Sequence, residues 1–193
     1  MGDPANFDSS DLDTILSDWV SALRESSVDA IAVLGPDPFG TSDDRLVIAV
    51  HPPALKAAAQ ALAESPDFGA RWRDADAPMV VWQHIAKADQ NAARWRLLWM
   101  ARGFQTVVRV EFPLPAGRAF ECFMFSPREL NDRAEAASLA WSALNVWPVV
   151  RKRIAIERST LSPRGRECLV LAFHGLTARE SSLEMHCTER TVN

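Results

Sequence analysis

The sequence predicts a mixed α/β domain followed by a small all-helical module. Three observations support this. Short runs rich in β-branched residues alternate with stretches of helical periodicity, and the last 33 residues contain closely spaced helix start and stop signals. The charge also changes sign, from −7 over residues 1–149 to +3 over residues 150–193. We therefore predict one domain over residues 1–157 and a second over residues 158–193.

The first predicted elements are an amphipathic helix and a pair of strands. Apolar residues recur at intervals of three and four from Asp11 to Leu23, as on one buried helix face. The runs Ala30–Leu34 and Leu46–Val50 are separated by Gly, Pro and Asp residues, which predicts neighbouring strands. An alanine-rich second helix is predicted to begin at Pro52 and Pro53.

The middle of the chain combines an irregular segment with a helix and a hairpin. Residues 67–84 show no sustained period and predict irregular structure with a short strand at Met79–Trp82. Asn91–Ala101 has helical spacing. Thr106–Phe112 and Arg118–Phe125 alternate like strands around a Pro- and Gly-containing link, which predicts a hairpin.

A long helix is predicted from Asn131 to about Glu157, with Pro148 kinking it or dividing it in two. This order of elements gives an α-β-α sandwich with an antiparallel-leaning sheet. Sensor domains of the GAF, PAS and autoinducer-binding kinds share that general architecture.

The last 33 residues have the local pattern of a helix-turn-helix module. Ser162 is placed to cap one helix that ends at Gly175, Thr177-x-x-Glu180 forms a capping box for a second, and Thr188 begins a third. Three short helices joined by capped turns in a basic segment are typical of DNA-binding modules.

This segment resembles the LuxR-type DNA-binding domain. The resemblance implies that Thr177 and Thr188 cap the scaffold and recognition helices near DNA phosphates, and that the recognition helix enters the major groove. The residues that match the family pattern are Leu161, Ser162, Arg164, Glu167, Leu169, Gly175, Leu176, Thr177, Glu180, Thr188, Arg190, Thr191 and Val192. The DNA-binding residues implied by the resemblance are Thr177, Arg179, Thr188, Glu189, Arg190, Thr191 and Asn193.

The segment departs from the family pattern at three places. Ser181 and Ser182 replace an apolar Ile and a small Ala, and Met185-His186 replaces the usual Leu-Gly. The sequence also stops at Asn193, one turn into the recognition helix, from which we expect weak DNA binding or none.

Two functional hypotheses follow from this resemblance. In the first, a LuxR-type transcriptional regulator binds a small molecule through its first domain and DNA, as a homodimer, through its second. In the second, the chain is a truncated homologue that pairs with related full-length regulators and acts as their antagonist.

The first domain also resembles the autoinducer-binding domain of quorum-sensing regulators. Pro78-Met79-x-x-Trp82 and Ala101-Arg102-Gly103-Phe104 are similar to segments of that family, although its W-x-x-x-Y and D-P elements are not recognisable. The resemblance implies a small-molecule ligand such as an acyl-homoserine lactone. Trp72, Trp82 and Phe104 are the candidate ligand-binding residues.

The other tryptophans are expected to fill the core, because they lie on the apolar faces of predicted helices. They are Trp19, Trp95, Trp99, Trp141 and Trp147.

Several other classes of protein are disfavoured. No apolar run approaches the length of a membrane span and the N-terminus lacks the features of a secretory signal, which favours a cytoplasmic protein. Three scattered cysteines and four isolated histidines show no metal-ligand spacing. Phosphate-binding glycine loops and known hydrolase motifs are missing, so we expect neither a cofactor nor an enzyme.

Overall fold

The structure is a computed structural model that describes residues 11–37, 39–41, 44–68, 80–85, 93–114, 118–158 and 162–192. The chain forms two compact units, Met1–Arg153 and Ile154–Asn193. None of the helices in the described ranges is long and apolar enough to cross a membrane.

The first unit is built on a five-stranded sheet in which all neighbouring strands are antiparallel, in the order β2-β1-β5-β4-β3. The predicted mixed α/β class and the predicted hairpin are confirmed. The strands are β1 (Ala30–Pro36), β2 (Arg45–His51), β3 (Val80–His84), β4 (Thr106–Pro113) and β5 (Ala119–Ser126).

Four α-helices of the described chain begin in this unit, and all four were predicted from periodicity. They are α1 (Leu12–Leu23), α2 (Lys56–Ala63), α3 (Arg94–Met100) and α4 (Arg133–Arg158). Asp11 caps α1 by accepting a hydrogen bond of 2.8 Å from the Thr14 backbone N–H, as a helix N-cap requires.

The two faces of the sheet carry different layers of helix. Phe123 on β5 lies beside Ala32 on β1, and both belong to the apolar cluster that the sheet forms with α2 and α3. Successive residues point to opposite faces of a strand, so Phe112 on β4 faces the other way and stacks on Trp147 of α4 at 4.0 Å. On that second face Trp19 of α1 donates a 2.9 Å hydrogen bond to Ser142 of α4. The result is the predicted α-β-α sandwich.

Pro148 lies inside α4 and does not divide it, because one helix runs from Arg133 to Arg158. The alternative of two separate helices is therefore wrong. A proline removes one backbone hydrogen bond, but here the residues on both sides of it are anchored. Trp147 stacks on Phe112, and Val150 is fully buried, so packing offsets the lost bond.

The second unit contains the three predicted short helices, α5 (Pro163–Phe173), α6 (Ala178–Glu184) and α7 (Glu189–Val192). Gly175 ends α5 with a backbone φ of +83°, a conformation that glycine adopts without steric cost. The buried side chains of this unit include Ser181, Ser182 and Met185.

Candidate functional site

A cleft of about 660 Å³ lies in the first unit between β3 and the first half of α4. This volume is in the range of small-molecule sites. The strand contributes Val80, Val81 and Trp82. The helix contributes Arg133, Ala136, Ala137, Ala140, Trp141 and Leu144. The cleft is therefore apolar along most of its length, with one cation at the beginning of the helix.

Trp82 is the predicted ligand-binding residue that lines this cleft. Its ring meets the ring of His84 edge to face, with the centroids 5.7 Å apart. The indole Nε1 is shielded from solvent and has no hydrogen-bond partner among the described residues. Because this N–H is shielded, Trp82 presents the apolar surface of its ring to the cleft.

Trp141 is 66% exposed on the rim of the cleft, and the prediction that it fills the core is wrong. The buried stripe of α4 runs through Ala136, Leu139 and Ala143, and Trp141 falls at its border. Small side chains hold the helix close to the sheet, which leaves no room for an indole beneath it. The predicted core positions of Trp19, Trp95 and Trp99 are confirmed, whereas Trp147 is partly buried.

Phe104, the second candidate ligand residue, is not near Trp82. It packs edge to face against Trp99 at 5.3 Å and against Phe125 at 5.9 Å, within the cluster on the α2 and α3 side of the sheet. Trp82 lies beside Val108 on β4 and contacts the α4 side instead. The structure therefore separates these two candidates. Trp72 lies outside the described residues.

A buried ionic network on the α2 and α3 side of the sheet was missed by the sequence analysis. Glu121 accepts hydrogen bonds from Arg109 Nε at 2.7 Å and from Arg45 Nη1 at 3.3 Å. Arg109 also contacts Glu111 at 2.6 Å, and Arg45 donates to the backbone carbonyl of Ser65. The sequence does contain a sign of this network. Charged residues recur at alternate positions of the strands, so they lie on one face of a sheet that helices cover on both sides.

In the second unit, Thr177 and Glu180 form the predicted capping box at the start of α6. The Thr177 backbone N–H donates to Glu180 Oε2 at 2.8 Å, and the Glu180 backbone N–H donates to Thr177 Oγ1 at 3.3 Å. The backbone N–H and the hydroxyl of Thr177 both donate to Glu180 Oε2, and these two bonds hold the pKa of the exposed Glu180 carboxyl below its usual value. The capping arrangement fixes where α6 begins.

The remaining candidate DNA-binding residues are exposed around α6 and α7. The side chains of Arg179, Thr188, Glu189, Arg190 and Thr191 all reach solvent. The hydroxyl groups of Thr188 and Thr191 lie 2.9 Å apart, and the Thr191 backbone N–H donates to the Thr188 carbonyl at 2.8 Å. Asn193 lies outside the described residues.

Among the described residues, no cluster of three or more His, Cys, Asp or Glu side chains is arranged to hold a metal ion.

No protein-family model matches the sequence, and no curated protein matches it.

Solved structures show which known folds the chain resembles. The structure of SdiA in complex with octanoyl-rac-glycerol matches with a TM-score of 0.55 and 16% identity, over 100% of this chain and 87% of the other. A domain described as belonging to a two-component sensor histidine kinase of Sinorhizobium meliloti matches with a TM-score of 0.52 and 13% identity, over 79% and 100%.

A third match is CepR2 of Burkholderia cenocepacia, an N-acylhomoserine lactone dependent LuxR family transcription factor. Its TM-score is 0.51 and its identity 12%, over 71% of this chain and 83% of the other. At these identities the likeness concerns the fold. The chain therefore has the mixed α/β fold found in the sensor domains of such proteins.

Proposed function

We propose that this chain belongs to a small-molecule-responsive transcription regulator. The first unit would bind the ligand, and the helices of the second unit would contact DNA. The observation that carries the proposal is the second unit itself, in which the LuxR-like pattern coincides with three short helices, of which α5 and α6 have N-caps. The likeness of the fold to CepR2 and SdiA supports a regulatory sensor domain.

The proposed DNA contacts follow from exposure and charge. Arg179 and Arg190 are exposed near the starts of α6 and α7, and their guanidinium groups can pair with phosphate oxygens. Such contacts would position the protein on the duplex, and residues of α7 would approach base edges. Binding as a dimer would place two such helices on two half-sites. The proposal assigns no catalytic step and no cofactor to the chain.

The ligand is proposed to be a small, largely apolar molecule. An acyl-homoserine lactone follows only from the resemblance of the segments at Pro78–Trp82 and Ala101–Phe104 to the autoinducer-binding domain, and it stays a prediction.

Selection of bound duplexes from a random DNA pool tests the DNA-binding part. In line with the sequence we expect weak binding, with measurable enrichment of a sequence that has two related half-sites, and still less binding by Arg179→Ala and Arg190→Ala. Arg24→Ala serves as the control because it removes an exposed cation from the first unit, at the end of α1. Recovery of unenriched DNA, or equal effects of all three variants, would refute the proposal.

The second candidate is a protein-interaction antagonist of related regulators. The observation that favours it is apolar surface on the second unit, where Leu169 is 58% exposed and Leu183 is 69% exposed. Val170, next to Leu169 on α5, is 54% exposed, and contiguous exposed apolar side chains are typical of interaction surfaces. Failure to bind DNA, combined with capture of a LuxR-type regulator by the wild-type chain but not by Leu183→Ser, would favour this candidate.

A further inference from the structure

The cleft between β3 and α4 has a polar end and an apolar end. His84, near the end of β3, has its Nδ1 3.8 Å from Glu129 Oε1, just before α4 begins. At the other end Val80 lies beside Val110, two residues from Phe112, which stacks on Trp147 of α4. The strand and helix therefore run in opposite directions along the cleft.

This direction places Trp82 towards the beginning of α4 and Val80 towards its middle. Arg133 lines the cleft at the beginning of the helix, on the side of Trp82. Trp141 and Leu144 line the end near Val80. One end therefore contains a cation, whereas the other end is apolar.

Arg133 makes no ion pair with a described residue, unlike its neighbours in sequence. Glu135 is held by Arg128 through two hydrogen bonds and by the Asn131 backbone N–H at 2.8 Å. Asp132 accepts a 2.9 Å bond from the Glu135 backbone N–H. The nearby carboxylates are thus engaged, and the guanidinium of Arg133 is left to face the cleft and solvent.

The length of the cleft sets the size of an occupant. The lining residues of α4 span Arg133 to Leu144, which at 1.5 Å per residue is roughly 16 Å. An extended alkyl chain fits along this distance, and its carboxylate would lie at Arg133.

We propose that the β3–α4 cleft binds an alkyl-chain carboxylate, with the head group on Arg133 and the tail along Ala137, Trp141 and Leu144. The proposal rests on the sensing role proposed above and gives it a site and a ligand class. A second protein chain on this face is the competing occupant, and the test separates the two.

Calorimetric titration of the wild-type chain with dodecanoate, below its critical micelle concentration, tests the proposal. We expect saturable binding at one site and about tenfold weaker binding of dodecanol, which has the same tail without the charge.

Two variants of α4 locate the binding site, each with a matched control. Arg133→Gln is expected to weaken dodecanoate binding about tenfold. Its control is Arg151→Gln, which changes an exposed arginine of the same helix outside the cleft and should leave dodecanoate binding unchanged. Ala137→Leu fills the cleft and is expected to abolish binding, whereas Ala134→Leu at an exposed position outside it does not.

Three results would overturn the proposal. The first is the absence of dodecanoate binding, and the second is an equal effect of each variant and its control. The third is a dimer, detected by light scattering, that Ala137→Leu converts to a monomer while dodecanoate binding stays unchanged. The DNA selection described above is independent of this titration. Loss of dodecanoate binding with intact DNA selection would refute the site alone.

Discussion

The buried ionic network centred on Glu121 gives the sharpest prediction about stability. Glu121 is 1% exposed and its two oxygens are shared by Arg109 and Arg45, both buried. Glu121→Gln preserves the shape of the side chain but removes the negative charge between two guanidinium groups. Breaking a buried ion pair by removing one partner typically costs about 3–5 kcal/mol, because the remaining charge is left uncompensated.

A loss of this size is a large part of the total stability of a domain, which is about 5–15 kcal/mol. For a unit of this length it corresponds to a fall in Tm of roughly 6–20 °C. Glu111→Gln is the matched control, because Glu111 contacts the same Arg109 but its side chain is 14% exposed. Its expected cost is about 1 kcal/mol.

Tryptophan fluorescence during urea unfolding measures this effect on the first unit alone, because all seven tryptophans lie within Met1–Arg153. The free energy of unfolding is obtained by linear extrapolation to water. A cost for Glu121→Gln below about 1 kcal/mol, or equal to that of Glu111→Gln, would contradict the reading of this network as buried and mutually dependent.

Three further predictions concern a helix cap, a partly exposed ion pair and the tryptophans. Thr177→Ala removes the N-cap of α6 and is expected to cost the second unit about 1 kcal/mol by far-UV circular dichroism, with Thr177→Ser close to wild type. The pKa of Glu135 is lowered, chiefly by its hydrogen bond with Arg128. The stabilisation from this pair, about 1 kcal/mol or less, is therefore present above the unfolded pKa near 4.5 and lost as the pH falls through the lower folded value. Glu135→Gln should remove this pH dependence, and an unchanged stability-pH profile would contradict it. Trp141→Ala should change stability by less than about 0.5 kcal/mol, whereas Trp99→Ala should cost about 3–5 kcal/mol, and similar values for the two would refute their assigned positions.

The elements of the fold were predictable because local signals and burial agree along most of the chain. Apolar spacing placed α1 and α4 within two residues of their observed bounds, and alternation identified β4 and β5. Helix propensity alone overestimated the effect of Pro148. The loss of one backbone hydrogen bond destabilises the helix less than the packing of Trp147 and Val150 on either side stabilises it.

The candidate sites were less predictable because they depend on contacts between distant segments. Helical spacing placed Trp141 on an apolar stripe, but the spacing does not say how wide the buried stripe is. Similarly, the sequence shows Arg45 and Glu121 as separate charges 76 residues apart, and only the β2-β1-β5 strand order brings them together. Trp82 and Phe104 were both candidate ligand-binding residues in segments that resemble the autoinducer-binding domain, whereas in the structure they lie on opposite sides of the sheet.

The titration of a fluorescently labelled duplex with the chain, at several salt concentrations, tests the proposed regulator most directly. We predict weak binding at low salt. The logarithm of the affinity should fall linearly with the logarithm of the salt concentration, and Arg179→Ala should reduce the slope by about one. Anisotropy that stays unchanged at low salt, or a slope that is the same in wild type and Arg179→Ala, would contradict the proposal that the second unit contacts DNA.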